Sequence, residues 1–323
     1  MPTRDGAQRR IKKPAKRAAS RTAARTRVYP VARPVLIATD GSKASGAAIQ
    51  FASAMADAGA WKPEATTVFE PIPVTVADVA LPVSPAIREP ESTQGLIGIV
   101  RRQIRRFGGA SWSLQVQFGS VARAIVKLAH DHKSQIIVIG LGKHGRLARL
   151  LGAETAARIC RLSDIPVLAV DMSLKALPHT ALVAMDFGES SVRAAREALA
   201  LLQPPGRMHL LHVSWTMDGH SLHDPAWDRT YAAGVEHGFD RLRMELSPPE
   251  GIEITSELRN DGVISSILKI AKDIDADLLA LGSHSQNVID RMIIGSTTSQ
   301  LLRAAKCSVL VTPPIGPAGS SKA

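Results

Sequence analysis

"ALVAMDFGESS", Ala181 to Ser191, is an apolar run that stops at an aspartate and passes through a small polar cluster into an alanine-rich helical pattern. The same pattern stands 146 positions earlier as "VLIATDGSKAS", Val35 to Ser45, with Asp40 in the place of Asp186. An apolar run this short, closed by turn residues and followed by a helix, reads as a strand buried on both faces, as parallel sheets require. The echo continues downstream. "QIIVIGLGKHG" (Gln135 to Gly145) matches "DLLALGSHSQ" (Asp277 to Gln286), and "IPVLAVD" (Ile165 to Asp171) matches "CSVLVTP" (Cys307 to Pro313). Helical patterns such as "VARAIVKLAHDH" and "VISSILKIAKDI" alternate with these runs, which is the signature of βαβ units. The chain is therefore expected to be α/β: two tandem, open, Rossmann-like parallel-sheet domains related by a pseudo-twofold axis. Their expected spans are 34–172 and 179–313, joined by "MSLKALP", with a flexible end at 314–323.

Composition agrees with this. A chain of 323 residues with 45% apolar content suits two domains of about 150 residues each. With aromatics at 4%, the cores must be built from Ala, Val, Leu and Ile. Two cysteines, Cys160 and Cys307, make neither a disulfide framework nor a Cys-x-x-Cys pair, so the expected compartment is cytoplasmic. Apolar runs such as "IIVIGLG" fall short of the roughly 18 residues a membrane helix needs, and no transmembrane segment is expected.

The net charge of +11 is unevenly spread. Residues 1–33 hold eleven Lys or Arg against Asp5, giving +10, while the remaining 290 residues carry +1. So basic a segment, with few large apolar side chains, is expected to be a disordered tail. Three readings stay open for it: affinity for nucleic acid or another anionic surface, organellar targeting, or a plain solvated extension. It lacks the apolar core of a secretory signal.

In an open parallel sheet, ligands bind beyond the carboxyl ends of the strands where strand order reverses. Asp40, after Thr39, and Asp186, after Ala184 and Met185, each end a first strand, and Gly142 and Gly282 are expected to end another. A helix opening after Gly295 would aim free N–H groups and the hydroxyls of Ser296 and Thr297 at an anion. The aspartate suits a donor such as adenine or a ribose hydroxyl, so the pattern describes a nucleotide. Taken singly, a strand-end aspartate is more often a helix cap, and a lone Gly-x-x-Gly more often a turn.

Both halves resemble the universal stress protein domain, as a tandem pair covering nearly all of residues 34–313. In the nucleotide-binding branch of that family the phosphate loop runs Gly, two residues, Gly, nine residues, Gly-Ser or Gly-Thr. The second copy has Gly282, then Ser285 in place of a glycine, then Gly295-Ser296 at the family's spacing. A β-carbon at Ser285 would cost roughly 1 kcal/mol or more in a left-handed conformation. "LLHV" resembles the segment whose valine, here Val213, packs on adenine. The resemblance implies ATP as ligand, with Mg2+ where required, bound chiefly in the second copy. The first copy keeps Gly142 and Gly145, but six residues separate Gly145 from Gly152 and Ala153 replaces the hydroxyl. Lys143, His144 and Arg146 offer it positive charge, and its expected role is structural. The family's pairing of last strands implies that "IPVLAV" and "CSVLVT" pair within the chain, and homodimerisation is left open.

His209, His212, His220, His223 and Asp224 cluster after the second copy's second strand, but without thiolates they read as a polar loop before a metal site. "EPIPVTVADVALPVSPAIREP" (Glu70 to Pro90) reads as a long surface loop. No Walker lysine, nucleophile elbow or paired acids point to catalysis beyond slow ATP hydrolysis. Two functions follow: a stress-response regulator that couples adenine-nucleotide binding to partner contacts, or a nucleotide-free scaffold acting through the tail and loops.

Overall fold

The structure of the chain, a computed structural model, describes residues 32–70, 74–76, 79–81, 90–108, 111–142, 152–214, 225–283 and 295–314. The first half runs β1 (Arg33–Ala38), α1 (Lys43–Asp57), β2 (Trp61–Phe69), β3 (Val74–Val76), β4 (Val79–Leu81), α2 (Pro90–Arg106), β5 (Leu114–Phe118), α3 (Val121–Asp131), β6 (Ile136–Gly140), α4 (Ala153–Leu162) and β7 (Val167–Val170). The second runs β8 (Thr180–Met185), α5 (Glu189–Leu201), β9 (Gly206–Val213), α6 (Pro225–Leu246), β10 (Ile252–Arg259), α7 (Val263–Asp273), β11 (Leu278–Gly282), α8 (Ser296–Ala304) and β12 (Ser308–Thr312).

Ten strands form one sheet in the order β10-β9-β8-β11-β12-β7-β6-β1-β2-β5. All neighbours pair in parallel except β7 and β12, which meet antiparallel at the centre, with Val309 opposite Ala169, Leu310 opposite Leu168 and Val311 opposite Val167. Pairing of the last strands therefore takes place within the chain. It reverses the sense of the sheet at its midline, so the carboxyl ends of the two sets of strands open on opposite edges. Within each half the first strand lies between the second and fourth strands, and the strand order reverses beside it.

The continuous apolar runs are what a sheet covered on both faces demands: β6, β7 and β12 are buried at every position. Helices α1, α2, α5 and α6 cover one face and α3, α4, α7 and α8 the other, and each of the two core clusters draws side chains from both halves. Leu168 and Leu310, both fully buried, face the first cluster, while Val167, Ala169, Val309 and Val311 face the second. Polar contacts reinforce the seam. Ser308 Oγ accepts from the Asp171 N–H at 3.0 Å, and Arg33 pairs with Glu197 at 2.8 Å. Arg193 donates to the carbonyls of Asp164 and Pro313 at 3.2 and 3.0 Å.

Two expectations change. The segment from Glu70 to Pro90 is not all loop, because β3 and β4 form an antiparallel hairpin with Val74 opposite Leu81. Gly142 does not end a strand: β6 stops at Gly140, and Gly142 instead makes an isolated bridge with Gly152. The basic tail up to residue 31 and the chain end from 315 lie outside the described residues.

Cys160 in the first half and Cys307 in the second are both buried, and burial pushes the Cys160 thiol up to about 12. Each is thus a reporter for unfolding of its own half. Because the core is shared, both thiols are expected to become open to alkylation at one urea concentration. Leu168→Ala should lower that midpoint for both, by about 2–5 kcal/mol of stability. Separate midpoints would show halves that unfold independently.

Candidate functional site

In the second half, β8, β9 and β11 end side by side. Met185 pairs with His212, which carries Asp186 to the level of Val213, and Leu281 pairs with Ala184. Ala184, Met185, Asp186, Val213 and Gly282 therefore gather at one sheet edge, beside the point where strand order reverses. Helix α8 begins over the same edge. The Gly295 N–H donates to the Ser283 carbonyl at 3.1 Å, and the first intrahelical bond is Ser299 N–H to Gly295 O, also at 3.1 Å. The amides of Ser296, Thr297 and Thr298 thus form the first turn, which has no intrahelical partners for its N–H groups. Thr298 is buried and donates to the Gly282 carbonyl at 3.3 Å, whereas Ser296 is exposed and Thr297 half-buried. That turn contains no acid.

The glycines of this site have different reasons to be glycines. A β-carbon on Gly282 would lie 2.3 Å from Ser190 Oγ and 3.1 Å from the Ser191 N, because the first turn of α5 crosses directly over the strand end. Gly282 serves packing. Gly295 has φ −55° and ψ 144°, open to any residue, and a β-carbon there would meet the Ser283 oxygen at 3.4 Å and Thr298 Oγ1 at 3.8 Å, ordinary contacts. Packing among the described residues does not require that glycine. What its bareness does is leave the approach to the α8 amides open, which fits a phosphate at a helix N-terminus. The residues present thus fit an anionic nucleotide tail.

Asp186 is built into the turn that starts α5. Its Oδ1 accepts from the Gly188 N–H at 2.9 Å and from Ser191 Oγ at 2.6 Å. Phe187 follows at φ 60°, where the first copy has Gly41 at φ 76°. A non-glycine residue there costs about 1–2 kcal/mol. Its ring is held against Gly238, where a β-carbon would come within 2.8 Å, and packs with Phe239 and His212 at centroid distances of 5.2 and 5.3 Å. His212 donates from Nδ1 to the Met185 carbonyl at 2.7 Å, which leaves Nε2 to accept the Tyr231 hydroxyl at 2.7 Å. Burial pushes that hydroxyl's pKa up. His209 engages Thr255 and Glu257. Neither histidine gathers a third ligand: among the described residues no group of three His, Cys, Asp or Glu stands ready for a metal. His220, His223, Asp224 and Ser285 lie outside the described residues.

The first half has the corresponding parts in other relations. Gly140, not Gly142, is the counterpart of Gly282: both are the last residues of their strands, and a β-carbon on Gly140 would fall 2.3 Å from the Ala44 carbonyl group. Eleven residues then separate Gly140 from Gly152 and twelve separate Gly282 from Gly295, so the first loop is one residue shorter rather than three. What sets the first copy apart is charge, since the exposed Glu154 stands in the first turn of α4 and gives that helix mouth an acid that the first turn of α8 lacks. Asp40 Oδ1 accepts from the Ser42 N–H at 2.9 Å, while Oδ2 is buried with no hydrogen-bond partner among the described residues. It faces a cavity of about 10 Å³ lined by Thr39, Thr66 and Val68, with room for one water. Gln103 of α2 ties Thr39 and the Ser42 carbonyl together at 3.1 and 2.7 Å. Gly145, Lys143, His144 and Arg146 lie outside the described residues.

Sequence reasoning missed Gly140, Phe187, Ser191 and Glu154. The register of the strand repeat would have found Gly140, since Ile136 aligns with Leu278, and the acid after "GA" would have found Glu154.

Comparison with known proteins places both halves in one group. The family model described as "Universal stress protein family" matches residues 32–171 and 178–313. Universal stress protein G of Shigella flexneri is 32% identical over 127 residues, 38% of this chain and 89% of that protein. A universal stress protein of Mycolicibacterium smegmatis is 22% identical over 290 residues, 87% of this chain and 97% of that protein. Among solved structures, a universal stress protein from Archaeoglobus fulgidus superposes with a TM-score of 0.59 at 20% identity, covering 87% of this chain and 96% of that one, which supports the two-domain fold.

The two kinds of glycine separate in a melting experiment. Gly140→Ala and Gly282→Ala should each destabilise the protein by about 1–3 kcal/mol through overpacking, whereas Gly295→Ala should stay within about 0.5 kcal/mol of the parent. A large loss in Gly295→Ala would mean that this glycine too is demanded by the fold.

Proposed function

The chain belongs to the universal stress protein family, and on that premise we propose that it is a stress-response regulator whose second half binds ATP or another adenine nucleotide. Binding there is coupled to what the protein contacts. The observation that carries this reading is Gly295: a bare residue that neither its backbone conformation nor packing among the described residues requires, at the mouth of a helix whose first turn holds Ser296 and Thr297 and no acid. Phosphates sit at those amides, charge meeting the positive end of the α8 dipole. The nucleoside extends toward the ends of β8 and β9, where Val213 offers apolar surface and Asp186 offers an acceptor for an amino or hydroxyl donor. Magnesium, where bound, shares the phosphate oxygens and not a protein cage. The first half serves as the structural partner: Glu154 disfavours an anion at the matching helix, and the cavity of about 10 Å³ beside Asp40 is too small for a base. Regulation follows from the seam, because ordering the mouth of α8 stiffens a sheet and core that the two halves share.

A calorimetric titration of the full-length chain with Mg-ATP tests this. One site per chain is expected, and Gly295→Asp, which adds a negative charge at the phosphate position, should weaken it by at least about tenfold without changing the fold. Two sites per chain would overturn the structural role of the first half, unchanged affinity in Gly295→Asp would remove the proposed site, and no heat at millimolar ATP would remove nucleotide binding altogether.

A further inference from the structure

Helix α2 carries four arginines within six residues, Arg101, Arg102, Arg105 and Arg106, all exposed, while Val100 and Ile104 on its other side are sunk in the core. Residues four apart are neighbours on a helix, so these form two adjacent columns, Arg101 with Arg105 and Arg102 with Arg106, each rising ~6 Å. None of the four is in an ion pair among the described residues. Several arginines elsewhere are paired, Arg33 with Glu197, Arg196 with Glu245, Arg243 with Asp240 and Arg259 with Glu257, and no other helix places four exposed arginines within six residues among the described residues. Residues 34–323 carry a net charge of only +1, so an unpaired block of four is a local surplus on a nearly neutral body.

The placement of α2 adds to this. It crosses from the end of β2 back to the start of β5 and so runs toward the edge where β1 begins at Arg33. The residues that precede β1 hold ten further Lys and Arg against Asp5.

We propose that the arginine ridge of α2 is a docking surface for the phosphate backbone of duplex nucleic acid, contacted without preference for base sequence. A guanidinium fork matches phosphate oxygens in pairs, which an ammonium does not. A duplex presents a charge every ~1.7 Å of its axis, so the four guanidiniums can each find a phosphate along it. A lipid surface is the poorer fit, because an interfacial helix needs its apolar face free and that of α2 is occupied by the core. Base stacking is not offered either: Phe107 is half-buried, with the Arg106 guanidinium 5.8 Å from its ring centre.

The test is fluorescence anisotropy of the full-length protein on labelled DNA duplexes of two unrelated sequences, across a salt series. Equal affinity for both is expected, falling steeply with salt. R101Q/R102Q/R105Q/R106Q should melt as the parent does, bind at least about tenfold more weakly at low salt, and flatten the log–log salt dependence by about 3–4, near 0.9 for each phosphate no longer neutralised. The fourfold Arg→Lys variant should keep most of the salt dependence. A slope unchanged in the Gln variant, or binding to phosphatidylserine vesicles with none to either duplex, would overturn the proposal.

Discussion

The antiparallel meeting of β7 and β12 is the contact on which the rest of the molecule depends. Each half alone would expose an uncharged last strand with an apolar centre, an edge that invites aggregation. Joined at Val167–Ala169 and Val309–Val311, the edges cover each other and the two five-stranded sheets become one. The cores fuse with them: Leu168 and Leu310 lie among α1 and α5, and their neighbours in sequence among α4 and α8. A tandem repeat thereby does in one chain what two copies of a single domain would do by association, with no loss of translational freedom at the moment of pairing.

The reversal at the seam also sets where the strand ends open. The carboxyl ends of β8, β9 and β11 open on one edge and those of β1, β2 and β6 on the other. A nucleotide in the second half therefore shares its edge with the start of β1 and not with the first half's own cleft. This gives the two copies freedom to diverge. One keeps a helix mouth free of acid, and the other fills the equivalent turn with Glu154 and closes the strand end with Gln103. Small residues mark which positions the fold holds and which it leaves open. Gly140 and Gly282 are held by helices crossing at 2.3 Å, and Gly295 is not.

Much of this was legible in the sequence because burial writes itself as pattern. The doubled apolar runs named the parallel sheet and the tandem arrangement, and the family resemblance implied the pairing of the last strands. Asp186 and the α8 hydroxyls could be placed because strand ends and helix starts carry local signals. The rest depended on tertiary contacts that spacing does not encode. Gly142 was read as the strand's end because it sits in a Gly-x-x-Gly, but the register with β7 and β1 stops the strand at Gly140. Phe187 in a left-handed turn defies propensity and is accounted for only by Gly238, which stands fifty-one residues away. The hairpin at Val74–Leu81 was hidden among prolines that read as loop.

The central claim is that one half senses a nucleotide while the other braces it. Amide hydrogen exchange of the full-length chain, with and without Mg-ATP, tests this most directly, because it reads location as well as binding. Slowed exchange at Ser283, across Gly295–Ser299 and at the ends of β8 and β9, with the stretches around Asp40 and Gly152 unchanged, is the predicted result. Protection confined to the first half, or none at saturating ATP, would contradict it.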